Sequence, residues 1–96
     1  MMKITFVKKI KADGEPCRKC ADVQNRLESS DQIRLIDDIV IADERDPQSA
    51  GMLLAKQHQV EQAPFFVVED EQGNSRVYTI YFQLVKEVLK PMESDV

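Results

Sequence analysis

The stretch DPQSAGMLLAKQHQVEQAPFFVV, residues 46–68, contains a helix followed by a strand and decides how the rest of the chain is interpreted. Asp46 can accept hydrogen bonds from unpaired backbone N–H groups, and Pro47 suits the first position of a helix. These two residues predict a helix that runs to about His58. Its buried face is expected to carry Ala50, Leu53 and Leu54.

A strand and a hairpin follow this helix. The run APFFVVED, residues 63–70, is rich in β-branched and aromatic side chains, and its proline lies at the strand entry, where no ladder hydrogen bond is lost. Residues 71–74, EQGN, have the composition of a turn. Residues 76–79 are therefore predicted to form the second arm of a β-hairpin.

The last segment has the clearest helical periodicity. Its apolar residues recur at i, i+3, i+4, i+7 and i+8, and Pro91 is predicted to end the helix. Residues from about 91 onward are expected to fray. The apolar stripe consists of Tyr81, Leu84, Val85, Val88 and Leu89.

Upstream of residue 46, a helix lies between two strands. Residues 4–9, ITFVKK, form a short β-branched and aromatic strand. Residues 17–29 are predicted to be helical, because Cys20, Val23 and Leu27 fall on one side of a helix. The apolar run at residues 39–41 predicts a buried strand, whose start lies between residues 35 and 39.

The elements occur in the order β-α-β-α-β-β-α, in a chain of 96 residues. This order defines an α/β fold: the two βα crossovers require parallel strands, and the hairpin adds an antiparallel pair. We expect a central mixed sheet of four strands flanked by three helices. We also expect one domain over residues 1–96, since a chain of this length builds a single core.

Composition excludes several classes of function. A net charge of −4 argues against nucleic-acid binding, which needs a basic face to neutralise phosphates. No apolar run approaches the roughly 20 residues that cross a bilayer, and the N-terminal sequence MMKITFVKKIK has no signal-peptide pattern. We therefore expect a cytoplasmic protein with no membrane or nucleic-acid partner.

The two cysteines of the chain, Cys17 and Cys20, lie in the motif CRKC at the predicted start of the first helix. There Cys17 can face unpaired N–H groups and the positive end of the helix dipole, and Arg18 and Lys19 add positive charge. Cys17 is therefore predicted to be the attacking sulfur. Cys20, one turn further on the apolar side, is predicted to be the resolving thiol.

Other interpretations of the cysteine pair remain. The two thiols can be buried and inert, or one half of a zinc site that His58 and carboxylates complete, or the ligands of a metal carrier. The domain can also be a binding or assembly module whose thiols are incidental or regulatory, because a fold alone does not determine activity. A purely structural disulfide fits least well, because it closes a very short loop.

The motif, the element order and the Ala63-Pro64 dipeptide together resemble the thioredoxin/glutaredoxin superfamily over residues 4–90. The resemblance implies a thioredoxin-like fold and a thiol–disulfide oxidoreductase that acts on a protein disulfide or dithiol. It further implies that the Ala63–Pro64 bond is cis and that Ala63 contacts an extended substrate. No organic cofactor or metal is implied, and we expect a monomer.

The sequence departs from the family at four places. No Trp precedes Cys17, and CRKC is the usual motif of neither named subfamily. The buried acid of thioredoxins corresponds to Lys11, so the proton acceptor for Cys20 stays open among Asp13, Glu15 and a water. The segment VYTIYF lacks the Gly-Gly pair that helps glutaredoxins to hold glutathione, and glutathione is therefore not an expected partner.

The remaining candidate residues have ordinary structural interpretations. His58 is predicted to lie at a helix C-terminus on the surface, where a positive charge suits the dipole. The aromatic side chains of the second half of the chain are predicted to be core or sheet-face residues. They are Phe65, Phe66, Tyr78, Tyr81 and Phe82.

Overall fold

A computed structural model describes residues 2–94 and contains four strands and three helices in the predicted order. The strands are β1 (Lys3–Ile10), β2 (Asp38–Asp43), β3 (Phe65–Glu69) and β4 (Ser75–Tyr78). The helices are α1 (Arg18–Ser29), α2 (Ala50–Gln57) and α3, which has an α-helical segment Tyr81–Leu84, a π-helical turn Val85–Leu89 and a second α-helical segment Lys90–Ser94. A short 3₁₀ helix, Gln32–Leu35, precedes β2.

The four strands form one mixed sheet in the order β2-β1-β3-β4. Strand β1 pairs in parallel with β2, as the first crossover requires, and antiparallel with β3. Strands β3 and β4 form the predicted hairpin. This α/β arrangement is a thioredoxin-like fold, so the predicted fold class is confirmed.

The sheet is covered on both faces, because side chains alternate along each strand. One face packs against α1 and α3, and there Phe6 stacks on Phe66 with 4.8 Å between ring centroids. The other face packs against α2 through Val7, Ala42, Phe65 and Val67. None of the helices between residues 2 and 94 is long and apolar enough to span a membrane.

Helix α2 lies very close to the edge strand β2. A Cβ atom added at Gly51 would overlap the backbone of Ala42, and Gly51 is the buried residue of this helix. Glycine is therefore required here by the distance between helix and strand. The close approach holds α2 over the second core cluster.

The predicted start of α2 is wrong by three residues. Asp46 accepts from the N–H of Gln48 at 3.0 Å, which closes a separate turn, and the helix begins only after Ser49. The face that the helix turns to the sheet also differs from the predicted one. Ala50 is exposed and Leu53 is 47% exposed, whereas Leu54 is half-buried as expected.

The predicted end of α3 at Pro91 is also wrong, because the helix continues to Ser94. Proline lacks an N–H and its ring crowds the carbonyl four residues earlier, which normally breaks a helix. Here the wider π-helical turn, Val85–Leu89, immediately precedes the proline segment. Of the tail expected to fray, residues 95 and 96 lie outside the described residues.

Candidate functional site

Strand β1 extends past the start of β3, and this overhang holds the cysteine motif. Strand β3 begins opposite Val7, so the backbone of Lys9, two residues further, faces no strand on that side. The N–H of Cys17 donates to the Lys9 carbonyl at 3.1 Å, and the N–H of Lys9 donates to the Sγ of Cys20 at 3.4 Å. The C-terminal end of β1 therefore holds both cysteines in place.

Cys17 and Cys20 occupy unequal positions. Cys17 is the N-cap of α1, with extended backbone angles, and its Sγ accepts from the N–H of Cys20 at 3.4 Å. The two residues come within 3.0 Å of each other, and both are free cysteines. Cys17 is half-buried, whereas Cys20 is 1% exposed. An incoming group can therefore reach Cys17 but not Cys20.

The Ala63–Pro64 dipeptide lies directly against this pair. Its peptide bond is cis, which confirms the expectation drawn from the family resemblance. The thiol of Cys17 donates to the Ala63 carbonyl at 4.0 Å, across 46 positions of sequence. The fold therefore brings together the four residues predicted for the site's chemistry: Cys17, Cys20, Ala63 and Pro64.

Burial, together with a hydrogen bond and the charge of the neighbouring Cys17 side chain, raises the pKa of the Cys20 thiol to about 12. The N–H of Lys9 and the ammonium group of Lys8 act in the opposite direction. Cys20 is therefore protonated at neutral pH while both cysteines are reduced. This inequality suits a pair in which one sulfur reacts first.

The charged residues of the motif are on the surface. Arg18 and Lys19 are exposed, and neither forms an ion pair with any described residue. Asp13 and Glu15 lie in the exposed loop before the motif, where an Asp13 oxygen accepts from the N–H of Glu15 at 2.9 Å. A cavity that is described below is lined by both cysteines, and neither Asp13 nor Glu15 belongs to its lining.

Two openings lie at the site, one beside Ala63 and Pro64 and one beside the cysteine pair itself. The first, which we call the proline-side groove, has a volume of about 290 Å³ and is lined by Lys19, Asp22, Val23, Pro64, Ile80 and Phe82 among others. The second, which we call the Lys8 cavity, has a volume of about 370 Å³ and lies between α1 and β2. Its lining includes Lys8, Ile10, Cys17, Cys20, Gln24 and Ile41.

The rim of the proline-side groove carries two exposed apolar side chains that the sequence interpretation did not place at the site. Ile80 is 52% exposed and Phe82 is 69% exposed. The guanidinium of Arg26 lies 5.9 Å from the centre of the Phe82 ring. The prediction that Phe82 is a core or sheet-face residue is therefore wrong, although Phe65, Phe66 and Tyr78 are buried and Tyr81 is half-buried.

The exposure of Phe82 has no clear signal in the sequence. At α-helical spacing Phe82 lies three residues before Val85 and seven before Leu89, and therefore at the border of the predicted apolar stripe.

His58 lies away from the cysteine pair. It is the C-cap of α2, as predicted from sequence, and its N–H donates to the Leu54 carbonyl at 3.0 Å. Between residues 2 and 94, no group of three or more His, Cys, Asp and Glu side chains is arranged to hold a metal ion.

Comparison of the chain with known protein families, with curated proteins and with solved structures gives no match. The fold and the site themselves define the chain as a thioredoxin-like domain with a Cys-x-x-Cys pair at the start of α1.

Proposed function

We propose that the protein is a thiol–disulfide oxidoreductase that exchanges disulfides with a protein partner. One observation carries this proposal: the half-buried Cys17 sulfur lies against Ala63, and the buried Cys20 lies directly behind it, within 3.0 Å. Two inert thiols do not require that one sulfur be accessible and the other buried directly behind it. A resolving thiol, in contrast, must be close to the first sulfur and shielded from the partner.

In the first step, the Cys17 thiolate attacks a sulfur of the partner disulfide. A Cys17–partner disulfide forms, the partner disulfide breaks, and one partner thiolate leaves and takes up a proton. The N–H of Cys20, which points at the Cys17 sulfur, stabilises negative charge on it. Arg18 and Lys19 favour the same charge and attract an acidic partner surface.

In the second step, Cys20 attacks the Cys17 sulfur of this mixed disulfide. The Cys17–Cys20 disulfide forms, the second partner thiolate leaves and is protonated, and the Cys20 proton passes to solvent. Once Cys17 is in a disulfide, it carries no charge and no thiol proton. The part of the raised Cys20 pKa that comes from Cys17 is then lost, so deprotonation of Cys20 becomes easier after the first step.

The surroundings of Cys17 favour a protein partner. The N–H of Ala63 makes no hydrogen bond to the described residues, so it is available to an extended partner backbone. The apolar rim formed by Ile80 and Phe82 can bury a partner side chain beside Cys17. Glutathione is not an expected partner, and the chemistry needs no organic cofactor or metal. We propose that the protein acts in the cytoplasm and that it is a monomer.

A redox titration tests this function. The chain is equilibrated with a graded series of thiol–disulfide buffers, and its free thiols are counted. We expect a reversible two-electron transition between roughly −120 and −270 mV. The Cys17→Ser variant should show no such transition. Thiols that stay unreacted in the native wild-type chain at every potential would contradict the proposal.

A second candidate function, that of a binding or assembly module, is favoured by a different observation. Strand β2 is an edge of the sheet, and Ile39 and Ile41 on it are 41% and 36% exposed. An exposed apolar edge strand can pair with a strand of another chain. In that case Ile39→Lys abolishes partner binding, while Cys17→Ser leaves it intact.

A further inference from the structure

The Lys8 cavity places a lysine beside the buried thiol. Lys8 and Cys20 both line it, although they belong to different elements, β1 and α1. In β1, Ile4, Phe6 and Lys8 alternate onto the same face of the sheet, so Lys8 faces α1 as the two core residues do. The lysine therefore takes a position that the core pattern would give to an apolar side chain.

The charge around Cys20 is one-sided. No Asp or Glu lines the Lys8 cavity, and its other titratable residues are Cys17 and Lys9. The ammonium group of Lys9 lies 3.5 Å from a Glu44 carboxylate oxygen, which offsets its charge. Lys8 forms no ion pair with any described residue. The positive charge of the cavity comes chiefly from Lys8.

A buried thiol beside an unpaired cation has a particular use in the second step of the exchange. Cys20 must become a thiolate there, and burial opposes this. A carboxylate in the cavity could accept the thiol proton and would then be neutral, but for as long as it stays ionised it repels a thiolate beside it. An ammonium group removes no proton but stabilises the thiolate once the proton has passed to solvent.

We propose that Lys8, from the wall of this cavity, stabilises the Cys20 thiolate that resolves the mixed disulfide. Lys8 is thus a positioning residue for the second step and acts through the sulfur of Cys20. The proposal rests on the proposed exchange function. It names the group that assists deprotonation of Cys20 in a chain whose cavity beside Cys20 has no Asp or Glu in its lining. Neither Asp13 nor Glu15 is needed, and bond formation and proton release are those of the second step above.

The experiment separates the two steps in time. The reduced chain is mixed in a stopped-flow instrument with less than one equivalent of a chromogenic aromatic disulfide. Attack by Cys17 releases one chromophore, and attack by Cys20 on the mixed disulfide releases the second. Lys8→Gln should slow the second release about threefold for each unit by which the Cys20 pKa rises, because a tenfold smaller thiolate fraction is partly offset by greater nucleophilicity.

Matched variants and two reagents exclude simpler explanations. Lys8→Arg, which keeps the charge, should retain most of the rate. Lys11→Gln removes the same charge from an exposed loop position and should leave the second release unchanged. The measurement is made with an anionic and with a neutral disulfide. A slower second release with both reagents supports the proposal, whereas an effect confined to the anionic reagent shows that Lys8 binds the reagent and overturns it.

The possible failures are distinguishable. Absence of the second release in the wild-type chain contradicts the proposed function itself. A normal second release in the wild type, with the same rate and pH dependence in Lys8→Gln, overturns the role of Lys8 and leaves the exchange function standing. The pH profile separates charge from packing, because a merely structural role would not shift the profile along the pH axis.

Discussion

The backbone N–H of Lys9 donates to the sulfur of Cys20 at 3.4 Å, so the C-terminal part of β1 is tied to the buried thiol. The carbonyl of the same residue accepts from the N–H of Cys17. The backbone N–H and the backbone carbonyl of Lys9 therefore both form hydrogen bonds with the two cysteines. This arrangement couples the chemistry of the pair to the integrity of β1.

The buried thiol makes stability depend on alkaline pH. Folding raises the pKa of Cys20 from 9.0 to about 12, so the folded chain keeps a proton that the unfolded chain loses. The stabilising contribution is complete below about pH 9 and is lost as the pH rises toward 12. We expect the free energy of unfolding of the wild type, relative to Cys20→Ala, to fall over this interval.

Urea unfolding in the presence of a reductant measures this difference. The comparison with Cys20→Ala removes the contributions of lysines and tyrosines that titrate in the same range. A difference between wild type and Cys20→Ala that stays constant from neutral pH to about pH 11 would contradict the raised Cys20 pKa.

Gly51→Ala tests the close packing of α2 on β2. The added methyl group would overlap the Ala42 backbone, so helix and strand must separate. We expect the free energy of unfolding to decrease by about 1–3 kcal/mol, the usual cost of overpacking. Ala50→Ser, at the exposed neighbouring position, should change it by less than about 0.5 kcal/mol in urea unfolding.

Phe82→Ser tests the apolar rim of the proline-side groove. Because Phe82 is 69% exposed, its replacement should leave the free energy of unfolding nearly unchanged. The rate of exchange with a disulfide peptide that carries apolar residues beside its cysteine should fall about three- to tenfold, the equivalent of about 1 kcal/mol of contact.

The control for this prediction is twofold. Gln83→Ser changes the adjacent exposed residue and should not affect the rate with the peptide. A small disulfide with no side chains to bury should react equally with wild type and Phe82→Ser. Equal peptide rates for wild type and Phe82→Ser would show that the rim makes no contact with the substrate.

The double variant Arg18→Gln/Lys19→Gln tests the positive charge of the motif. At low ionic strength we expect the first step with an anionic disulfide to slow about threefold, because attraction of the reagent is weakened. High salt should remove the difference. The variant Lys3→Gln/Lys86→Gln loses the same charge at exposed positions outside the motif, and a similar slowing there would assign the effect to net charge alone.

Much of the fold could be predicted because the hydrophobic period changes clearly along the chain. The alternation in β1, the stripe of the last helix and the turn at residues 71–74 are local signals, and each element they predict is present. The start of α2 was missed because Asp46 forms its own turn. The hydroxyl of Ser49, which donates to the Asp46 carbonyl at 2.8 Å, belongs to that turn.

The site was predicted less completely than the fold. The unequal exposure of Cys17 and Cys20 could be predicted from their order at a helix start, but the contact with Ala63 depends on how β3 pairs with β1. The position of Lys8 in the cavity beside Cys20 was not predicted, because lysine side chains mostly lie at the surface. The period of two in β1 carried a signal for this position, since Lys8 follows Ile4 and Phe6.

Gln32 illustrates what sequence reasoning could not reach. It is 5% exposed, and its Oε1 accepts from the Ser30 hydroxyl at 3.1 Å and from the Tyr81 hydroxyl at 3.3 Å. Tyr81 is 49 positions away from it in the sequence. No local pattern reports such a contact, because it exists only after α3 has packed beside the 3₁₀ helix.

The central claim is that Cys17 attacks first and Cys20 resolves, and the position of a trapped adduct tests it most directly. The reduced Cys20→Ser variant is mixed with a limiting amount of a peptide disulfide, and the adduct is located by peptide mass analysis under non-reducing conditions. We predict a stable mixed disulfide on Cys17, whereas the wild type goes on to the Cys17–Cys20 disulfide and releases both partner thiols. A native Cys17→Ser chain that reacts through Cys20 as fast as Cys20→Ser reacts through Cys17 would contradict the account.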